Sequence, residues 1–260
     1  MARAAESGKH RAERMARAGK PMSAGATADL VGEVVEVGGR AFSLLRPRDV
    51  DAIVTDLVAA DVRDDACLPF WAELWPAGVA LAAAVAARSV TGSRALDLGC
   101  GLGLASVVAA TGGAEVLAVD RSPEATARTA ANAARNGVAV DTAVCSITAP
   151  GPMLARAPWD LVLVGDLLYE RGNAEPLRRL LPHLVGGDTG GLRRRRDGAR
   201  RGDGGQADGG RSGRRGEVWL ADPGRPALAS FLAGLDADGW RRAPMGAGDD
   251  HVSVWRLALG

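Results

Sequence analysis

Asp97-Leu98-Gly99-Cys100-Gly101-Leu102-Gly103 is the stretch on which the fold turns. It ends a short apolar run at 95–98 and opens a segment of helical character at 103–111. Glycines at alternate positions let a backbone turn tightly and approach a ligand closely. The helix that follows offers unpaired N–H groups at its start. A dinucleotide site wants G-x-G-x-x-G with pyrophosphate on the helix N-terminus. Here the third glycine comes one position early, and Leu104 stands where that pattern needs glycine. Asp97, two residues before the first glycine, would repel a pyrophosphate and attract a cation. A second acid, Asp120, closes the next apolar run at 116–119, where it can accept hydrogen bonds from two ribose hydroxyls.

Working outward, apolar runs at 95–98, 116–119, 139–145, 161–164 and 218–221 alternate with helical stretches at 103–111, 123–136, 173–185 and 226–237. Short buried strands alternating with helices predict an α/β fold, doubly wound, with a mostly parallel sheet. A last strand at 251–257 follows Gly239-Trp240. Upstream, 30–37 and 40–45 flank Gly38-Gly39, a two-residue hairpin signal. Pro47 then opens an amphipathic helix carrying Val50, Ile53, Val54, Leu57 and Val58.

Composition bounds the remaining choices. The 260 residues are 47% hydrophobic and 24% charged, which excludes a wholly disordered chain, a coiled coil and a collagen. The net charge of +1 conceals an uneven distribution. Residues 187–216 carry nine Arg, four Asp and eleven Gly, and residues 1–20 carry six Lys/Arg and two Glu. The remainder holds 17 basic and 25 acidic residues, a net of −8. Residues 1–27 are therefore expected to be a disordered basic tail, favoured over a targeting peptide because Glu6 and Glu13 are unusual in one. Residues 187–216 are expected to be a disordered Arg/Gly-rich insertion that interrupts a single domain over 28–260. This insertion joins a helix to the next strand, so it should sit at the sheet edge opposite the ligand side. Cys67, Cys100 and Cys145 have neither metal nor redox spacing, and three reduced thiols suit the cytoplasm. His10, His183 and His251 are too scattered for a metal site. No apolar run is long enough to span a bilayer.

The cationic ligand that best suits D-x-G-x-G-x-G is S-adenosylmethionine, with its ammonium and sulfonium. From these residues outward the sequence resembles the seven-β-strand methyltransferases, which implies a Rossmann-like sheet of seven strands behind an N-terminal hairpin and helix. Three further motifs resemble the protein-lysine methyltransferase group. They are Pro69-Phe70-Trp71-Ala72-Glu73-Leu74-Trp75-Pro76-Ala77-Gly78, Asp166-Leu167-Leu168-Tyr169 and Asp222-Pro223-Gly224-Arg225-Pro226. Taken with Gly165-Asp166, they are similar to the electron-transfer-flavoprotein β-subunit lysine methyltransferases and their bacterial relatives.

That resemblance implies a set of roles. Trp75, Asp97, Gly99, Cys100, Gly101, Gly103, Asp120 and Gly165 would surround the cofactor, with Ser146 and Ile147 near the adenine. Asp166 would orient the acceptor ammonium and help remove its proton, and Tyr169 would shape the path of the lysine chain. Glu170, Asp222 and Arg225 would meet the protein substrate, which carries the acceptor lysine. The implied protein is a monomer without membrane or nucleic-acid partners. Two other readings stay open at this point. One is methylation of a different acceptor, a ribosomal protein or a small amine. The other is nucleic-acid binding through the Arg/Gly insertion. A nucleic-acid methyltransferase is disfavoured because no N-P-P-Y-like tetrapeptide follows the fourth strand of the alternation.

Overall fold

The computed structural model describes residues 29–59, 68–186, 215–247 and 252–260. The expected basic tail, Cys67, His10, His251 and residues 187–214 of the insertion lie outside the described residues. The chain begins with a hairpin, β1 (Leu30–Val37) and β2 (Arg40–Pro47), turning at Gly38-Gly39, both at positive φ. Helix α1 (Val50–Ala59) follows. Pro47 does not open it: that residue ends β2, and Asp49 Oδ1 accepts from Ala52 N at 2.8 Å at the helix start.

After a 3-10 turn at Phe70–Ala72 come α2 (Pro76–Ala86), β3 (Arg94–Leu98), α3 (Leu104–Thr111), β4 (Glu115–Asp120), α4 (Pro123–Arg135), β5 (Asp141–Val144), α5 (Gly151–Ala155), β6 (Leu161–Gly165), α6 (Ala174–Leu184), β7 (Glu217–Asp222), α7 (Leu228–Ala237), β8 (Trp240–Ala247) and β9 (Ser253–Leu259). Seven strands form one sheet in the order β5-β4-β3-β6-β7-β9-β8. The pairs among β5, β4, β3, β6 and β7 are parallel, and β9 pairs antiparallel with β7 and β8. From β3 the chain proceeds outward through β4 and β5, then returns to β6 on the other side of β3. That reversal places a crevice at the carboxyl ends of β3 and β6.

The strands are buried on both faces, and alternation assigns each residue to one of two layers. Ala95, Leu161, Leu163, Trp219 and Ala221 pack in one layer with the hairpin, α2 and α3. Leu96, Leu98, Val162, Val164, Val218 and Leu220 pack in the other with α6 and α7. Helix α2 was not expected as an element. It is apolar all round, with Ala77, Ala80, Leu81, Ala82, Ala84 and Val85 buried, so it has no helical period to read. Strand β8 was also unexpected: it is an edge strand broken by a bulge between Pro244 and Gly246. The described residues on either side of 187–214 meet at one place, where Gly216 N donates to Val185 O (3.1 Å) and Glu217 N to Asp160 O (3.0 Å). These flanks lie at the amino ends of the strands.

Candidate active site

The carboxyl ends of β3, β4, β6 and β7 open on a cleft of about 560 Å³. Its floor is the glycine turn. Gly99, Gly101 and Gly103 have φ of 71°, 53° and 82°, where L side chains are strained. Space is short as well: a Cβ on Gly99 would lie 2.8 Å from Leu167 Cδ2. The turn amides face inward. Gly99 N and Cys100 N donate to Val119 O (2.8 and 3.0 Å), Gly103 N to Cys100 O (2.8 Å), and Gly101 N to Asp120 Oδ2 (3.1 Å). The amides of the turn itself are therefore already bonded at these four positions. This turn presents bare backbone and a carboxylate, which suits a cation bearing a ribose and not a pyrophosphate.

Of Asp97 and Asp120, it is Asp120 that faces the cleft. Its oxygens accept from Gly101 N and from Ser122 N (3.0 Å), and burial raises its pKa against those bonds. Asp97 does not line the cleft. It lies beneath the turn, 4% exposed, accepting from Ser106 Oγ at 2.6 Å. Burial pushes its carboxyl up to about 6, the Ser106 bond opposes that, and the charge of Asp120 adds to it. Cys100 is likewise buried, with Thr129 Oγ1 at 3.3 Å from its Sγ. Gly103 is the residue before α3, set against Thr129. These three residues build the turn from behind. Trp75, Gly99, Gly101, Ser146, Ile147 and Gly165 line the cleft.

At the other end of the cleft, Asp166 is the one non-glycine residue at positive φ (48°) among the described residues. It is 8% exposed, and both its oxygens are taken by Arg225, Nε to Oδ1 at 2.8 Å and Nη2 to Oδ2 at 2.7 Å. Asp222 holds that arginine in place. Its Oδ1 accepts from Gly224 N (2.8 Å) and Arg225 N (2.7 Å), so it shapes the turn and does not itself line the cleft. Tyr169 and Glu170 do line it, each engaged by Arg121: Nη2 donates to the Tyr169 hydroxyl (3.2 Å) and lies 2.8 Å from Glu170 Oε1. Burial pushes the Tyr169 hydroxyl up to about 12, with Arg121 opposing and Glu170 adding. It is a neutral phenol at pH 7 and no base. The Phe70 ring meets it edge-on at 5.2 Å.

Sequence reasoning missed Arg121, which follows Asp120 directly but belongs to none of the motifs. It also missed Phe70, Cys145, Met153 and Asn173, all of which line the cleft. Trp71 also lines the cleft, and its carbonyl oxygen stands 3.4 Å from where a Gly101 Cβ would be.

The residues fit S-adenosylmethionine. Glycines form a cradle that side chains would fill, an acid sits at the end of β4 for the ribose, and Val119, Ile147 and Met153 offer an apolar slot for the adenine. Residues 95–184 match the model of the methyltransferase domain. The chain therefore carries an S-adenosylmethionine-dependent methyltransferase domain on a Rossmann-like sheet. The narrower resemblance read from the motifs also meets a finding. The chain is 35% identical over 121 residues to the electron transfer flavoprotein beta subunit lysine methyltransferase of Danio rerio, and 32% identical over 125 residues to that of Homo sapiens. The first match covers 44% of each chain, so the matched part is less than half of that relative's length. A ribosomal protein L11 methyltransferase of Synechococcus is 46% identical over 85 residues, 31% of this chain and 28% of that one. In fold, the chain is similar to a T. Thermophilus 16S rRNA N2 G1207 methyltransferase (TM-score 0.56, 14% identity, 90% of this chain and 51% of that one). It is also similar to a TehB-like methyltransferase from Corynebacterium glutamicum (TM-score 0.50, 13% identity, 81% and 96%). Among the described residues no helix is long and apolar enough to cross a membrane, and no cluster of metal-ligating side chains occurs.

Proposed function

We propose that the chain is a protein-lysine N-methyltransferase whose acceptor is an electron transfer flavoprotein β-subunit. The observation that carries this reading is Asp166, a buried carboxylate at a strained backbone position beside Gly165, with an arginine across both its oxygens. When bound, S-adenosylmethionine supplies an electrophilic methyl group for direct displacement by the acceptor amine. The protein's task is then alignment and control of the acceptor's charge.

A lysine must lose its proton before it can attack. From a reference pKa of about 10.4 this costs about 4.6 kcal/mol at pH 7. A bare carboxylate would hold the lysine well but would stabilise the ammonium form and raise that cost. Paired with Arg225, Asp166 keeps lone pairs for an N–H hydrogen bond while the pair as a whole is neutral. It can therefore orient the amine without favouring the ammonium, and the proton leaves to water. Tyr169 and Phe70 flank the approach with ring surface for the lysine methylenes. Arg121 keeps Glu170 engaged at this mouth.

Intact-mass spectrometry of acceptors tests the proposal. After incubation with the protein and S-adenosylmethionine, an electron transfer flavoprotein β-subunit should gain methyl-group increments and ribosomal protein L11 should not. Methylation of L11 alone would transfer the assignment to that acceptor, and methylation of neither would reject a protein acceptor of these two kinds.

A further inference from the structure

Helix α4 and its C-cap carry a row of polar residues, Thr129, Asn132 and the capping Asn136. Thr129 and Asn132 are fully buried. Buried polar side chains in a helix are costly unless bonded, and each of these is bonded to backbone of another element. Thr129 Oγ1 donates to Gly101 O at 3.0 Å, inside the glycine turn. Asn132 Nδ2 donates to Leu102 O (2.8 Å) in the same turn and to Leu45 O (3.2 Å) in β2, while its Oδ1 accepts from Leu45 N (2.7 Å). Asn136 repeats the pairing one turn further along, accepting from Ser43 N (2.9 Å) and donating to Ser43 O (2.8 Å). Two asparagines thus pair with β2 as a neighbouring strand would. Only the first of them also reaches the cofactor turn.

The hairpin also packs on helix α2. A Cβ on Gly38 would lie 2.8 Å from Ala86 Cβ at the end of α2, the helix that starts directly after Trp75. Val37, Phe42 and Leu44 are buried in the same core layer as α2.

We infer that Asn132 and Thr129 are positioning residues for the cofactor. They fix the carbonyls of the glycine turn, and Asn132 braces that turn against the N-terminal hairpin. The physical reason lies in the turn itself. Buried Cys100 and Leu102 and the bonded amides hold the turn from one side, and the carbonyls of Gly101 and Leu102 are held from α4. A turn free to relax would lose the flat backbone face on which the ligand lies.

The test compares two isosteric changes by calorimetric titration of the full-length protein with S-adenosylhomocysteine. Asn132→Asp keeps the acceptor for Leu45 N but loses both donors, including the one to Leu102 O. Asn136→Asp loses the donors to Ser43 O in the hairpin and to Asn132 O within its own helix, and touches no bond of the glycine turn. Titrations are done at a temperature where circular dichroism shows both variants folded. Asn132→Asp should weaken binding about tenfold or more, and Asn136→Asp should stay within twofold of wild type. Thr129→Val, which removes the hydroxyl and keeps the shape, should weaken binding several-fold and serves if Asn132→Asp does not fold. Wild-type affinity in Asn132→Asp or Thr129→Val overturns the inference. Equal weakening by both asparagine variants also overturns it, because that would reflect general loosening of the hairpin. Loss of melting temperature alone, with affinity unchanged, would mark the row as purely structural.

Discussion

Asp166 and Arg225 show how much of a residue's chemistry depends on its partner. The motif D-x-x-Y placed Asp166 at a strand end, and the fold puts it there; what the motif could not carry is the guanidinium 59 positions later that covers both oxygens. Arg225→Met would leave that carboxylate bare beside the acceptor. The lysine would be held as its ammonium, and the pH of half-maximal methylation should rise by roughly one unit or more, with S-adenosylhomocysteine affinity unchanged. A pH–rate profile measures this, and an unshifted profile would contradict the neutral-pair mechanism. Asp97 gives a second residue-level prediction. In the unfolded chain it loses its proton near 3.8, and in the fold near 6. Between those values the folded state holds a proton that the unfolded state lacks, so stability falls as pH rises through that window. Asp97→Asn, which still accepts from Ser106, should flatten that fall and be more stable than wild type at pH 7 by on the order of 3 kcal/mol at most. Urea midpoints at pH 4 and pH 7 check it; the same difference at both pH values would contradict it.

At the scale of elements, legibility followed periodicity. Strands β3, β4, β6 and β7 were readable because short apolar runs between turn residues have few other uses, and α4 and α6 because each keeps one apolar face. Helix α2 was not, because small apolar residues on every side erase the period. Strand β8 was not, because an edge strand with Pro244 and a bulge has no alternation to show. The glycine turn was fully legible as a turn, yet the inward use of its amides and the burial of Asp97, Cys100 and Gly103 behind it depend on α3 and α4, which lie elsewhere in sequence. Helix α4 itself is well started: Pro123 stands at its first position and Ser122 Oγ accepts from Ala125 N at 3.1 Å. Ser122→Ala should cost about 1 kcal/mol of stability, read from a denaturant midpoint. A loss too small to detect would mean that Pro123 and the neighbouring bond from Ser122 N to Asp120 already suffice to start the helix.

For the whole molecule, the opposed ends of the sheet separate the cleft from the described residues that flank the Arg/Gly-rich segment. The flanks of 187–214 meet at the amino ends of the strands, and the cleft opens at the carboxyl ends. Replacing 187–214 by a short Gly/Ser linker should therefore leave S-adenosylhomocysteine affinity and acceptor methylation within about twofold, since loop length itself changes closure cost only weakly. Loss of methylation with cofactor binding intact would mean that the segment recruits the acceptor. The net charge of +1 is a sum over parts with separate places in the chain, and the acidic remainder is the part that carries the cleft. The central claim is that this cleft directs a methyl group to a lysine side chain. It is tested most directly by incubating the protein with methyl-labelled S-adenosylmethionine and an electron transfer flavoprotein β-subunit, then locating the label by tandem mass spectrometry. Label on a lysine Nζ, absent with Asp166→Asn, is the predicted result. Label on any other atom, or undiminished label with Asp166→Asn, would contradict it.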